Sequence, residues 1–314
     1  MKARIVWVVL ALIWGSTWLF IKIGLEDLPP LSFAGLRFVL AVVILSTVVA
    51  ARRAPLPRAR ADWLLIVSTG LLAFAFNYGL LFWGEQHVSS GLAALLQATI
   101  PVFGLLIAHL HLPGERLTWG KMAGVLLGVA GVGIVFSNQL EVAGPMALWG
   151  SAAIVGGAVF VAYANVLVKA RGGHLDPALL AAGQMGCGLV PLLVVGRLTE
   201  GSPFDFHWTA RAVASLLYLT VVGSVVAFLL FYWLVRNMDV TKTMLIALVT
   251  PLFAVLLGMA VLGERLTWRT LAGGALIMSG IGSVVWRRVR AGKVEEKEEE
   301  EVKEDGEEGE RVPS

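Results

Sequence analysis

The sequence predicts an all-α membrane protein, with ten transmembrane helices arranged as two inverted-topology five-helix repeats. Three observations predict it: a scarcity of charge, a succession of apolar runs of bilayer length, and a duplicated segment. Hydrophobic residues make up 57% of the 314 and charged residues 15%, where soluble domains carry about 25%. Mean hydropathy is +0.79. A water-soluble chain of this size needs a charged surface that these residues cannot supply.

A hydrocarbon core of about 30 Å takes roughly 20 apolar residues per helix. Runs of that kind fall near 5–24, 32–51, 63–83, 91–110, 120–137, 146–168, 178–196, 212–235, 242–262 and 269–287. Pro29-Pro30, Pro55, Pro57, Pro113-Gly114, Gly172-Gly173 and Pro203 mark the breaks. Lys2 and Arg4 ahead of the first run resemble a signal peptide, but its core is longer than the usual roughly 7–15 residues, so an uncleaved first helix is expected. With a cytoplasmic N-terminus, sixteen lysines and arginines fall inside and five outside. Positive charge collects on the cytoplasmic side, so both termini of this multi-pass protein are expected there.

The net charge of +3 hides an asymmetry: residues 291–314 hold 11 of the 22 acidic residues and 4 of the 25 basic ones. That like-charge block reads as a disordered cytoplasmic tail. The basic residues of the body flank apolar runs, a topology signal, so no nucleic-acid partner is expected. Cys187 is alone, which excludes an intrachain disulfide and a cysteine cluster. No metal, cofactor or catalytic residue is expected: there is no H-E-x-x-H site, no paired buried carboxylates and no nucleophile beside a base.

The string GERLTW occurs at Gly114–Trp119 and again at Gly263–Trp268. Leu81-Phe82-Trp83 aligns with Phe231-Tyr232-Trp233, Pro101-Val102-Phe103 with Pro251-Leu252-Phe253, and Gly124, Gly131 and Gly133 with Gly273, Gly280 and Gly282. Upstream, Lys22, Pro30 and Arg37 align with Lys169, Pro177 and Gln184. The units are therefore 1–140 and 141–290, followed by the tail 291–314. Five helices is an odd number, so the second copy lies upside down, as in many secondary transporters.

The ten-run pattern, WGSTW at Trp14–Trp18, Leu36-Arg37-Phe38 and the twice-used proline-to-GERLTW segment together resemble the drug/metabolite transporter superfamily, EamA-like branch, over about residues 5–287. The resemblance implies a protein of the cell (inner) membrane that exports amino acids or related small amphipathic metabolites by alternating access. Relatives elsewhere in that superfamily carry sugar phosphates or nucleotide sugars, which is the alternative reading. A membrane-embedded enzyme and a lipid or peptide scaffold are disfavoured, the second because matched prolines in a duplicated unit exceed what scaffolding needs.

In inverted-repeat transporters the substrate sits near mid-depth, beside interrupted helices in matching positions. Pro101 and Pro251 are such a pair, expected to kink their helices by disturbing the carbonyls of Gln97 and Ala247. Polar groups at mid-depth turn into the bundle. The expected substrate-binding set is Ser16, Thr17 and Trp18; Arg37; Asn77 and Tyr78; Gln97; Tyr163 and Asn165; and Gln184. Hydrogen bonding between helices is the competing use of each, and for Arg37 a structural or gating role is favoured over direct contact. Lys22 and Lys169 are expected to snorkel at helix ends. No carboxylate lies in the middle of a run, so no buried acid is expected to relay protons, and facilitated diffusion or exchange fits better. Gly120, Gly124 and Gly128 form a small-residue row that serves internal packing or a dimer, the former favoured. Partners are a small-molecule substrate and the bilayer, with the chain a monomer or homodimer.

Overall fold

Residues 2–111, 118–142, 144–237 and 246–283 are described by a computed structural model. Gly114–Leu117 of the first GERLTW copy, Asp239, Lys242 and the tail 291–314 lie outside the described residues. The helices are α1 (Lys2–Gly24), α2 (Pro30–Ala51), α3 (Arg60–Glu85), α4 (Ser90–His111), α5 (Trp119–Val142), α6 (Pro145–Arg171) and α7 (Pro177–Thr199). They continue as α8 (Ala210–Asn237), α9 (Ile246–Val261) and α10 (268–283). Among the described residues there is no strand. Within those residues seven helices (α1, α2, α3, α4, α6, α7 and α8) are long and apolar enough to cross a membrane, while Met122–Ser137 and Val249–Val261 are shorter apolar stretches.

Helix starts follow from local chemistry. Pro30, Pro145 and Pro177 sit in the first turn of their helices, where the missing N–H costs nothing. Ser89 accepts from the Leu92 N–H, Asp176 from Ala178 and Leu179, and Thr209 from Ala212. Each bond satisfies a donor that the helix itself leaves open.

The packing pairs equivalent helices of the two units. α2 lies antiparallel on α7: a Cβ on Gly35 would meet Leu193, and one on Gly196 would meet Ser32. α5 lies antiparallel on α10, where a Cβ on Gly131 would stand 2.5 Å from the Gly273 carbonyl oxygen and one on Gly280 2.5 Å from that of Gly124. Gly124 and Gly128 of the small-residue row thus pack inside the bundle. Elsewhere α1 packs on α9 as α6 packs on α4, which is the same contact with the units exchanged. Apolar clusters around Phe33, Phe38 and Phe82, and around Val102 and Ile277, fill the spaces between.

Three helices are irregular. α4 breaks at Ala98–Thr99, just before Pro101, and the Thr99 hydroxyl donates to the Leu96 carbonyl at 2.6 Å. The hydrogen-bonded helix runs unbroken through Pro251, beside which Thr250 donates to Ile246 at 2.9 Å. α3 and α8 each contain a π-helical stretch, Leu71–Phe76 and Tyr218–Val226. Leu71 and Tyr218 are separated by the same 147 positions as Lys22 and Lys169, so both units widen at one register. Such widened turns are frequent at functional sites.

Because the Gly131 Cβ position is closed by main chain, which moves less readily than a side chain, Gly131→Leu is expected to destabilise the protein by about 2 kcal/mol. A thermal melt of detergent-purified protein checks this, with Gly133→Leu, whose Cβ would meet nothing within 4 Å, as the silent comparison.

Candidate substrate cavity

The irregular turns and equivalent helices line a partly open cavity of about 400 Å³ at mid-depth. A second lobe, also about 400 Å³, shares Trp14, Thr17, Trp18, Tyr78, Gln97, Asn165 and Phe231 with it and reaches Pro101, Thr250 and Pro251. The lining is paired across the units: Trp14 with Val161, Trp18 with Asn165, Ile21 with Val168 and Arg37 with Gln184. A cavity lined by equivalent positions lies where the two units meet.

Of the residues the sequence singles out, Thr17, Trp18, Arg37, Asn77, Tyr78, Gln97, Asn165 and Gln184 line the first lobe, and Pro101 and Pro251 the second. Ser16 and Tyr163 are not brought there. Two residues along a helix from Trp18 and Asn165 is a rotation of about 200°, which carries both to the opposite face. Ser16 lies 2.6 Å from the Tyr218 hydroxyl, and Tyr163 packs on His111 at 5.3 Å. Both members of this symmetric pair leave the cavity together.

Arg37 is 3% exposed. Its Nε donates to Ser224 Oγ at 3.0 Å, and Ser224 in turn donates to the Leu219 carbonyl five residues earlier, a spacing the π turn provides. The guanidinium lies over the rings of Tyr78 and Phe38, 5.3 and 5.5 Å from their centroids. Among the described residues no carboxylate pairs with it, and it is the only cation of the lining.

A second polar group faces it from α3 and α4. Asn77 Nδ2 donates to the Ala73 carbonyl, so its Oδ1 faces Gln97 and accepts from Nε2 at 2.7 Å. That arrangement leaves Gln97 Oε1 buried without a donor. Gln184 donates to Thr69 at 2.8 Å. Aromatic walls come from Trp14, 5.4 Å from Phe231 and 6.3 Å from Phe228. Trp14, Phe228 and Phe231 were not among the expected residues. Trp14 opens the WGSTW stretch and Phe231 aligns with Leu81, so the repeat held the signal.

One end of the bundle, where α1 hands over to α2, is tied by polar contacts between distant segments. Glu200 accepts from the Leu31 and Ser32 N–H groups, both at 2.8 Å. Glu264 accepts from Ser90 N at 2.7 Å, Ser90 Oγ at 3.0 Å and Gly91 N at 3.2 Å. Lys22 does not snorkel: its ammonium donates to the Glu85 and Val88 carbonyls, both at 2.6 Å. Thr209 donates to Asp27, with His207 3.3 Å away. Against the expectation of no buried acid, Glu85 is 0% exposed. Its place at the last residue of α3 hid it, because sequence position gives depth along a helix and not coverage by neighbours.

The Thr209 hydroxyl, helped by the His207 contact, holds the Asp27 carboxyl below its usual range against the opposing cost of desolvation. A depressed acid contributes stability above its unfolded value and loses it as pH falls through the folded one. Asp27→Asn is therefore expected to lower the Tm at neutral pH, with the difference from the parent shrinking as acid protonates the carboxyl; paired melts across the acid range check it.

Paired halves of apolar helices around a shared mid-depth cavity define the class of a membrane transporter. The EamA-like transporter family matches residues 1–137 and again 148–286. The chain belongs to that family and has its two repeats. It is 30% identical over 270 residues to YoaV of Bacillus subtilis, described as an uncharacterized transporter, covering 86% of this chain and 92% of that one. It is 31% identical over 264 residues to YedA of Escherichia coli K12, described as an uncharacterized inner membrane transporter, with 82% of each chain covered. At 29% identity over 284 residues it is similar to a probable terminal-alkyne amino-acid exporter of Streptantibioticus cattleyicolor, covering 89% of this chain and 92% of that one.

Proposed function

We propose that this transporter exports amino acids or related small amphipathic metabolites across the inner membrane by alternating access, and is not an enzyme. Ten spans in two inverted units, 1–140 and 141–290, would place both termini and the tail 291–314 in the cytoplasm. The antiparallel stacking of α2 on α7 and of α5 on α10 supports the inversion.

The observation that carries the substrate reading is the pairing of Arg37 with Gln97 in one cavity. A guanidinium held without a carboxylate is matched by a substrate carboxylate. The orphaned Gln97 Oε1 is matched by an ammonium donor, and the Trp14, Phe228 and Phe231 wall by an apolar side chain. Cavity volume also suits a molecule of amino-acid size. The exporter name of one relative supports the same class. A sugar phosphate or nucleotide sugar brings about two negative charges to its phosphates, and one cation answers only part of them.

Uptake of labelled amino acids, sugar phosphates and nucleosides by proteoliposomes tests this. Saturable amino-acid transport is expected. Arg37→Gln is expected to reduce it about tenfold or more, the loss of one charged hydrogen-bonded contact, and Gln97→Ala to weaken it as well. Sugar-phosphate transport alone would overturn the substrate reading.

A further inference from the structure

Glu85 is fully buried at the α1–α2 end, and neither carboxyl oxygen has a hydrogen-bond partner among the described residues. Two charged groups stand within electrostatic reach, Lys22 and Glu264. Both are engaged elsewhere, Lys22 on the main-chain carbonyls of Glu85 and Val88, and Glu264 on Ser90 and Gly91. On the remaining side α6 presses against α3: a Cβ on Gly84 would stand 2.5 Å from the Gly150 carbonyl oxygen. Beside Gly150, Ser151 is also fully buried with an unpartnered hydroxyl. A carboxylate here lacks donors, and the nearby Lys22 ammonium is held on main-chain carbonyls, so burial penalises the anion more than the neutral acid.

We propose that Glu85 is a proton-binding site: closing the α1–α2 end places one proton on its carboxyl group, and opening that end releases it. On opening, the carboxyl O–H bond breaks and the proton passes to entering water. The new carboxylate then accepts a hydrogen bond from the Lys22 ammonium, freed from its carbonyls. Acid therefore favours the closed end, by up to about tenfold in the closed-to-open ratio per pH unit for one proton. This rests on the chain being a transporter and not on which substrate it carries.

The other titratable or charged groups at this end are His87, whose ring packs on Trp83 at 4.9 Å, the Asp27–His207 and Glu26–Arg211 pairs, Glu200 and Asp205, and the cations Arg197, Arg265 and Arg269. A distance measurement without substrate separates Glu85 from them. Spin labels on Leu198→Cys and Trp268→Cys, two exposed positions at this end, are placed in a Cys187→Ala background of the full chain in liposomes. Between about pH 9 and 5, the short-distance population is expected to grow as pH falls. Glu85→Gln, which mimics the neutral acid, is expected to stay closed throughout. Glu264→Gln is expected to shift toward open and keep the pH dependence, as is the His87→Gln, His207→Gln double variant in dependence alone. A flat parent profile, an unchanged slope in Glu85→Gln, or a slope lost with Glu264 or the histidines instead overturns the proposal. Should Glu85→Gln fail to fold, the infrared C=O band of a buried protonated acid decides in the parent protein; its absence also overturns the proposal.

Discussion

Inside a bilayer every main-chain N–H and C=O must find its partner within the protein, because no water is there to supply one. A continuous helix meets this demand by itself; its ends and interruptions do not. Most of the specific chemistry in this protein sits at those two kinds of place. At the α1–α2 end, Glu200 takes the open N–H groups of α2 and Glu264 those of α4. Lys22 takes open carbonyls where α3 finishes. Each cap comes from a distant part of the chain, so satisfying a helix end and tying segments together are the same interaction. At mid-depth the interruptions are the break before Pro101 and the two π turns, and those are where the cavity opens.

Approximate two-fold symmetry arranges these features. The contact of Gly131 with Gly273 becomes that of Gly280 with Gly124 when equivalent positions are exchanged, and both place a Cβ 2.5 Å from a carbonyl oxygen. Only glycine permits main chains to approach so closely. The cavity lies where the pairing places Arg37 opposite Gln184. That substitution breaks the symmetry where it has most effect. One wall carries a fixed charge seated on Ser224 of the partner unit, and the other carries a neutral amide bonded to Thr69. A small zwitterion in such a site has a preferred orientation, which a symmetric lining would not give it.

Much of this was legible in the sequence, for identifiable reasons. Apolar runs give helices because the bilayer leaves few alternatives, and the GERLTW repeat gave the register that aligns Trp18 with Asn165 and Arg37 with Gln184. What failed was rotation about the helix axis. A run hydrophobic on all sides carries no amphipathic stripe, so Ser16 could not be assigned a face, nor could Tyr163. The π turns were also invisible, since Leu71–Phe76 and Tyr218–Val226 hold ordinary apolar residues and the widening comes from packing. Glu85 escaped because coverage by α1, α6 and the loop carrying Glu264 is a tertiary fact.

The end ties and the cavity are mechanically close. On α1, Ile21 lines the cavity and Lys22, the next residue, holds the end of α3. On α3, Leu81 lines the cavity one turn before Glu85. On α4, Ser90 is held by Glu264, and Gln97 reaches the cavity two turns later, immediately before the helix breaks. Helix segments of that length move as stiff pieces, so in the proposed cycle releasing Lys22 or Glu264 would displace Ile21, Leu81 or Gln97. In the other direction, a ligand that draws Arg37 and Gln97 together pulls on the segments those ties hold. The break at Ala98–Thr99 lets the first half of α4 take part without carrying Pro101 and the rest of the helix with it. In the proposed alternating-access cycle, closing one end and shaping the cavity would therefore be two consequences of a single rearrangement of α1, α3 and the first half of α4.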